Sequence, residues 1–312
     1  MIYSWNIIGH EAQCLSLEKS LQDEGSLSHA YLFFGPSDVG KWTVAQFFSK
    51  ILLCDENFCH QCVNCHAVES GVHPDLVKLL DEGGSIKIDS IRQLIQKVSQ
   101  TSQGKRRVVL IENIDRMPVE AQNAFLKTLE EPPGETIFLL TSSHPKKILP
   151  TIISRVRSVE FGLVDNAFIQ SHLETMEGVD AGQIRRILEM AQGRPGLAIR
   201  LAKDPLEFAA YRDLFYQIEA FLSRNDLIEK FKYVESIEKN PEALEQFFEV
   251  FSLLLRKLTY DFLEGESHPL KKRFSSNQLA DLFDKFIETR YLIQRNVNKK
   301  LALENFFLLT EV

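Results

Sequence analysis

The segment FFGPSDVGKWTVAQFF, residues 33 to 48, has the spacing of a phosphate-binding loop with one departure. Gly35 and Gly40 would let backbone amides cradle phosphate, and Lys41 would reach the β- and γ-phosphates. The next position needs a serine or threonine hydroxyl for Mg²⁺, but this chain has Trp42 there. Thr43 lies about 100° further around the helix and is a poor substitute. The loop is therefore a degenerate phosphate loop, which is weak or vestigial and lacks the hydroxyl for magnesium.

A hydrolysing site also needs an acidic residue at the end of a buried strand, usually followed by a glutamate that acts as general base. The apolar run VVLIEN ends in Glu112 and Asn113. Glu112 could contact a metal ion, but asparagine takes no proton from water. The departures at residues 42 and 113 predict that the chain does not hydrolyse ATP, whereas nucleotide binding without hydrolysis is still compatible with the loop.

A polar sensor is expected on the neighbouring strand, TIFLLTSS, and its hydroxyls could supply one. Thr141 is the first candidate, with Ser142 and Ser143 beside it. In an open parallel sheet, ligands bind at the carboxyl ends of the strands, which is where these residues fall. Simple termination of a strand would explain the same hydroxyls, and both interpretations stand.

Four of the five cysteines fall within one short segment, CDENFCHQCVNCH. Two overlapping Cys-x-x-Cys steps with a further thiol nearby can close four thiolates around zinc, and such a site is structural. In a cytosolic chain this crowding favours metal over disulfides, although buried inert thiols are the alternative. His60 and His66 could replace a thiolate that is out of reach. The predicted ligands are Cys54, Cys59, Cys62 and Cys65.

The elements that would position these residues change character along the chain. In residues 1–161, buried strands such as RRVVLIENI alternate with amphipathic helices such as KWTVAQFFSKILL, which predicts an α/β fold with a parallel sheet. Residues 162–204 contain two short helices broken at Gly193 and Pro195, the size of a small helical lid. The cysteine insert occupies residues 54–66 of the first region.

Residues 205–312 read as an all-helical domain. An apolar stripe recurs at three- and four-residue steps, and it fits either core packing or a face for other subunits. The stripe comprises Leu244, Phe247, Phe248, Phe251, Leu254, Leu255, Leu258 and Phe262. The apolar end NFFLLTEV predicts a docked terminus.

Composition is that of an ordinary soluble globular protein, with 44% hydrophobic and 25% charged residues. No run approaches the roughly 20 apolar residues of a membrane span, and no basic leader precedes an apolar stretch at the N-terminus. The net charge of −7 argues against a protein that binds nucleic acid alone, because phosphate neutralisation dominates such binding. We expect a cytoplasmic protein that contacts no membrane, and its charge still allows a local basic face or a role inside a larger complex.

Several motifs occur in the order found in bacterial clamp-loader subunits. They are SHAYLFFGPSDVGK, the four-cysteine insert, HPD at 73–75, AQNAFLKTLEEPP at 121–133 and ILPTIISR at 148–155. The pair LKTLEEPP and LPTIxSR is highly specific. The chain is similar to the delta-prime family of DNA polymerase III clamp-loader subunits, by motifs up to residue 203 and by length and helicity beyond. The resemblance implies an AAA+ P-loop module, a helical lid and a C-terminal helical collar.

The tau/gamma motor subunits of the same assembly share much of this set. Their pattern has threonine after the loop lysine, Asp-Glu at the second motif and an arginine in the lid. This chain has Trp42, Glu112-Asn113 and Gly196 at those places. The departures favour the delta-prime family, whose members commonly lose nucleotide competence. A tau/gamma-like active ATPase is the alternative, and the acidic balance disfavours a zinc-module nucleic-acid binder.

Relatives present the arginine of a Ser-Arg-Cys segment to the nucleotide of the adjacent subunit, and Arg155 of TIISRV is the matching residue. Such an arginine finger stabilises charge on a γ-phosphate in trans and is worth roughly 10³ to 10⁵ in rate. An ordinary surface salt bridge is the alternative role. Val156 replaces the cysteine, and Arg157, outside the motif, is expected to be structural.

The resemblance implies a non-hydrolysing part of the DNA polymerase III holoenzyme, a nucleotidyltransferase complex that replicates DNA. Such a subunit helps to load the sliding clamp onto primed DNA. Implied partners are the tau/gamma motor subunits, the delta subunit, the sliding clamp and, through the complex, primer-template DNA. The relatives usually have a longer loop between the first two cysteines than the interval from Cys54 to Cys59. Structural Zn²⁺ is the expected ligand, while ATP and Mg²⁺ are not expected to be turned over.

Overall fold

The computed structural model describes residues 3–22, 26–54, 59, 61–81, 83–224, 226–264, 270, 273–295 and 297–310. The chain divides into two compact units, Met1–Ile199 and Arg200–Val312. The division into domains at 161 and 204 stays a prediction. Among the described residues, the helices are too short or too polar to cross a membrane.

Five parallel strands form the sheet of the first unit, in the order β2-β3-β4-β1-β5. They are β1 (Ala30–Phe34), β2 (Leu76–Leu79), β3 (Arg107–Ile111), β4 (Thr136–Ser142) and β5 (Arg157–Glu160). Strands β3 and β4 are buried throughout, which explains their unbroken apolar sequences, because a parallel sheet is covered on both faces. The predicted strands β1, β3 and β4 are confirmed.

Helices cover both faces of this sheet. On one face, α1 (Glu11–Gln22), α2 (Lys41–Leu53) and α3 (Val63–Glu69) pack in a core that includes Phe48 and Leu139. On the other, α4 (Ile88–Val98), α5 (Val119–Glu130) and α6 (Pro150–Ile153) pack in a core with Phe125 and Phe138. Neighbouring β4 residues Phe138 and Leu139 thus point to opposite faces, as the two-residue strand period requires. The predicted α/β class is confirmed.

Three helices follow the sheet in the predicted lid region: α7 (Asn166–Leu173), α8 (Ala181–Ala191) and α9 (Pro195–Lys203). Asp165 caps α7 by accepting a hydrogen bond from Ala167 N–H at 2.8 Å. Asp180 caps α8 in the same way through Gln183 N–H at 2.9 Å. Gly193, with φ of 81°, lies between α8 and α9, where the sequence predicted a break.

The second unit is helical, as predicted, with α10 (Pro205–Ser223), α11 (Leu227–Ile237), α12 (Pro241–Glu264), α13 (Ser276–Gln294) and α14 (Lys299–Leu309). The stripe on α12 is buried from Leu244 to Leu258, so the core-packing interpretation is confirmed for these residues. Phe251 stacks on Phe286 with ring centroids 5.0 Å apart. Phe306 is also buried against Phe251, so the described part of the apolar segment at 305–312 packs on the helical core.

Candidate functional site

The phosphate loop, residues 35–40, joins β1 to α2 at the carboxyl edge of the sheet. Gly35 has φ of 143° and Gly40 has φ of 103°, both in the region that favours glycine. A Cβ atom on Gly35 would lie 2.0 Å from the carbonyl oxygen of Phe161. The fold alone therefore requires Gly35 and favours glycine at position 40, whatever the loop binds.

Lys41 is turned into its own loop. Its side chain is nearly buried, with the residue only 6% exposed. The ammonium Nζ donates hydrogen bonds to the carbonyl oxygens of Gly35 at 2.9 Å and Pro36 at 2.5 Å, and to Ser143 Oγ at 3.2 Å. Burial lowers the pKa of Lys41 to about 8, although nearby carboxylates oppose this shift. A phosphate would have to displace these protein contacts to bind the lysine.

Residue 42 packs against the apolar core and offers no ligand for Mg²⁺. Trp42 is half-buried against the apolar core that α2 shares with the sheet. Thr43, the next hydroxyl along the chain, is exposed. The position from which a phosphate loop normally holds Mg²⁺ is therefore filled by an indole ring, which offers no oxygen.

The end of β3 is bonded to Asp81 in the loop after β2. Glu112 Oε2 accepts a hydrogen bond from Asp81 N–H at 3.1 Å, and Asn113 Nδ2 donates to Asp81 Oδ2 at 2.6 Å. Arg116 adds an ion pair to Asp81 Oδ1 at 2.9 Å. Asn113 has φ of 47°, a left-handed conformation that asparagine tolerates. These contacts give both residues a structural use, and the metal contact expected of Glu112 stays a prediction.

The hydroxyl groups at the end of β4 have different hydrogen-bond partners. Thr141 is 2% exposed, and its Oγ1 accepts a hydrogen bond from Asn113 N–H at 3.0 Å. Ser143 is the hydroxyl that contacts Lys41. The sensor role given to Thr141 stays a prediction, and the residue that contacts the loop lysine lies two positions further along the chain.

Asp115 is a buried charge that the sequence analysis did not single out. It accepts hydrogen bonds from Ser143 N–H and from the His144 ring Nδ1, both at 3.1 Å. Burial would raise the pKa of Asp115, but hydrogen bonds with His144 and Ser142 outweigh it and lower the pKa to about 2. The only sequence signal was an acid four residues beyond the end of a buried strand.

Two further elements contact the loop through its carbonyl groups. Gly196, in the first turn of α9, donates its N–H to Asp38 O at 2.7 Å. A Cβ at that position would lie 2.8 Å from the same oxygen, so an arginine there would not fit this arrangement. On α1's side, the His10 ring Nε2 lies 2.8 Å from Val39 O. Burial lowers the pKa of His10, and the Val39 carbonyl opposes that shift.

The four predicted cysteine ligands come together. Their sulfur atoms all lie within 4.8 Å of one another, and Cys54 Sγ is 3.9 Å from the sulfurs of both Cys59 and Cys62. Zinc–sulfur bonds of about 2.3 Å in a tetrahedron place the sulfurs about 3.8 Å apart, so the group fits Zn²⁺. Cys54 belongs to the group despite its short spacing. His66 is exposed and outside it, and His60 lies outside the described residues.

The HPD motif has a structural explanation. Asp75 is 1% exposed and accepts hydrogen bonds from Gln103 N–H and Gly104 N–H, the latter at 2.7 Å. It also pairs with Arg107 Nη2 at 3.4 Å. Its own N–H donates to His73 Nδ1 at 3.1 Å. The motif therefore fixes the start of β2 to the loop that leads into β3.

Arg155 follows the short helix α6 and lies at the surface. Its Nη2 forms an ion pair with Glu130 Oε1 at 2.6 Å, with the two side chains 36% and 45% exposed. Arg157 is used differently, because its Nη2 donates to Ser16 Oγ at 3.1 Å and its guanidinium lies 5.9 Å from the ring centroid of Tyr31. Arg157 has the intramolecular contacts of a structural arginine, whereas Arg155 is partly exposed and forms the surface ion pair that was its alternative role.

A family model described as DNA polymerase III, delta subunit, matches residues 9–165, half of the 312-residue chain. The chain belongs to this family. Among curated relatives, subunit delta' of Pseudomonas aeruginosa is 43% identical over 135 residues, 41% of each chain. Subunit delta' of Bacillus subtilis is 32% identical over 68% of this chain and 65% of that one. The resemblance to delta-prime clamp-loader subunits is confirmed.

Subunits named tau/gamma of DNA polymerase III are similar too. Subunit tau/gamma of Haemophilus influenzae is 35% identical over 54% of this chain and 25% of its own length. The match thus covers less than two thirds of each of these curated relatives. Among solved structures, a gamma subunit-related protein of DNA polymerase III from Thermotoga maritima covers 94% of this chain and 98% of that one, with 19% identity and a TM-score of 0.47.

Proposed function

We propose that this chain is a non-hydrolysing, delta-prime-like subunit of the DNA polymerase III clamp loader. It caps a ring of ATPase motors and supplies Arg155 to the nucleotide of its neighbour. The observation that carries the proposal is the Lys41 ammonium, which is bonded to the carbonyl oxygens of its own phosphate loop. A lysine held in this way does not present its charge to a β- or γ-phosphate.

Three other features support the absence of hydrolysis. Trp42 packs where a magnesium-binding hydroxyl is needed. Asn113, in place of a general base, is bonded to Asp81. Gly196, in place of a lid arginine, approaches Asp38 with its backbone. Each feature removes a different part of the hydrolytic machinery, so restoring one of them leaves the others missing.

The position of Arg155 at the surface, with 36% of its side chain exposed, supports the role in trans. Its guanidinium lies at the surface, next to the end of α6, and carries the sequence context of an arginine finger. A guanidinium that reaches the γ-phosphate of a neighbouring subunit stabilises the charge that develops during phosphoryl transfer. The catalytic contribution of this chain would then be made entirely on another subunit's nucleotide.

Its partners would be the tau/gamma motors and the delta subunit, which together open the sliding clamp and place it on primed DNA. With a net charge of −7, this chain would meet primer-template DNA through the complex and not alone. We place the protein in the cytoplasm, with no role at a membrane.

We further propose that the four cysteines hold one structural Zn²⁺. Four thiolates leave no open coordination position for a reactive water, so zinc would stabilise the segment between α2 and α3. No step of the proposed function passes through this metal.

A tau/gamma-like active ATPase is the second candidate, favoured by the 35% identity to a tau/gamma subunit. The two candidates differ in ATP turnover by the purified chain. We expect no magnesium-dependent turnover above background, and none from Trp42→Thr, because Asn113 and Gly196 remain. A motor subunit in the same assay is the positive control. Turnover by the wild-type chain that is lost in Lys41→Ala would instead establish the ATPase.

A further inference from the structure

The guanidinium of Arg155 is held at the surface of its own subunit by several contacts. Glu130 Oε1 lies 2.6 Å from Nη2. On the other nitrogen, Nη1 donates to the carbonyl oxygen of Thr151 at 2.8 Å and to Ser154 Oγ at 3.1 Å. A long arginine side chain at a solvent-exposed position normally samples many rotamers, whereas these contacts select one orientation.

Glu130 stands where helix electrostatics disfavour a carboxylate. It is the last residue of α5, which ends before Glu131 and Pro132. The carboxyl end of a helix carries partial negative charge, so an acidic side chain there is unfavourable. An exposed ion pair contributes little to the free energy of unfolding. Fold stability therefore does not account for a glutamate at this position, and residues that break a local rule point to function.

These contacts leave at least one N–H donor of the Arg155 guanidinium without a partner among the described residues. A guanidinium has five N–H donors in a fixed plane. In the part of the chain that the structure describes, Nη1 and Nη2 have the partners given above, and Nε–H has none. Glu130 and Thr151 can therefore keep hold of the group while another edge receives a phosphate oxygen.

We propose that Glu130 is a positioning residue for Arg155. Its carboxylate fixes the guanidinium in one orientation, so that the free edge meets the γ-phosphate held by the neighbouring subunit. This inference rests on the proposed role of Arg155 in trans. Glu130 touches no nucleotide and acts through the arginine. It reduces the ordering that the Arg155 side chain must undergo when the transition state forms.

The test uses the complete clamp loader reconstituted with motor subunits, in single-turnover hydrolysis of ATP. Glu130→Ala should lower the rate at the neighbouring site by about fivefold, the effect of losing an ordering contact worth about 1 kcal/mol. The KM for ATP should change little, because the arginine acts in the transition state. Glu131→Ala, the same substitution one residue away, is the matched control and should behave as wild type.

Two further variants make the result specific. Glu130→Gln keeps the shape of the side chain and removes its charge, and it should slow the same step even if the alanine variant assembles poorly. Glu130→Ala should add nothing to Arg155→Ala, since the glutamate acts only through the arginine.

The outcomes separate the two ideas. If Arg155→Ala leaves hydrolysis unchanged, the proposed function fails. If Arg155→Ala slows hydrolysis while both Glu130 variants match or exceed the wild-type rate, the positioning role is overturned and the arginine finger survives. An effect of Glu130→Ala that adds in full to that of Arg155→Ala would also overturn it.

Discussion

In a nucleotide site, side chains around the phosphate loop contact phosphate, magnesium or water. In this chain they form hydrogen bonds to other protein groups. Lys41 donates to loop carbonyls, and Asn113 donates to Asp81. Asp115, also in this region, is a buried charge held by Ser143 and His144. At the scale of single residues, the polar side chains of the site have hydrogen-bond partners within the protein.

Asp115 gives a prediction about pH. Its pKa of about 2 lies below the ordinary value of about 3.9, so its ionised form stabilises the folded state above about pH 4. That contribution, on the order of 2 kcal/mol, is lost as the pH falls through 4 towards 2. Chemical unfolding should therefore show Asp115→Asn to be less stable than wild type at pH 7, with the difference shrinking below pH 4.

Asp89→Asn is the control, because Asp89 forms an exposed i,i+3 pair with Arg92. That variant should stay within about 0.5 kcal/mol of wild type. An Asp115→Asn deficit that persists unchanged from pH 7 down to pH 3 would show that the charge of Asp115 does not stabilise the fold.

Single residues were predictable from sequence where chemistry fixes their spacing. The four cysteines follow a metal-ligand pattern, and the structure brings them together. Partners such as Asp81 and Glu130 were not predictable, because they meet Asn113 and Arg155 across 32 and 25 positions of the chain respectively. No local periodicity reports contacts of that kind.

At the scale of elements, α9 and the phosphate loop meet through backbone at Gly196 and Asp38. Gly196→Ala would place a Cβ 2.8 Å from Asp38 O, and backbone on both sides cannot yield easily. We expect a loss of about 1–3 kcal/mol in the free energy of unfolding, as for other overpacked contacts. Hydrogen exchange should show lower protection of the amide at position 196.

Gly162→Ala is the matched control, because a Cβ there meets no atom within 4 Å. It should leave both stability and exchange at position 196 unchanged. Equal stability of the two alanine variants would mean that α9 does not rest on the loop as described.

The cysteine segment between α2 and α3 predicts a dependence on metal. The purified chain should carry about one zinc per molecule, and a strong chelator should lower its melting temperature, since a structural zinc site contributes folding energy. Cys65→Ser should abolish zinc binding. Cys14→Ser should retain it, because Cys14 lies outside the group. If the zinc-free chain had the same melting temperature as the zinc-bound chain, the metal would not be structural.

The elements themselves were largely predictable. Strands β1, β3 and β4 are buried apolar runs, and the helix beginning after Gly40 has a clear start. Strands β2 and β5 were not predicted, because LVKL and RSVE are short and mix charged with apolar residues. Both lie at the edges of the sheet, where one side of the strand is unpaired and the apolar requirement is weaker.

At the scale of the molecule, the proposed function separates two roles that one motor subunit would combine. The phosphate loop of this chain is closed by protein contacts around Lys41. Arg155, on the same unit, is partly exposed at the surface and paired with Glu130. Under the proposed function, such a subunit would hydrolyse no ATP itself and would act on hydrolysis by its neighbour.

The central claim is tested most directly by single-turnover ATP hydrolysis in a clamp loader reconstituted with Arg155→Ala. Arg92→Ala, another exposed arginine paired with an acidic neighbour, is the control. We predict normal assembly and a loss on the order of 10³ in the rate at the neighbouring motor, with Arg92→Ala unchanged. Hydrolysis by the Arg155→Ala complex at the wild-type rate would contradict the account.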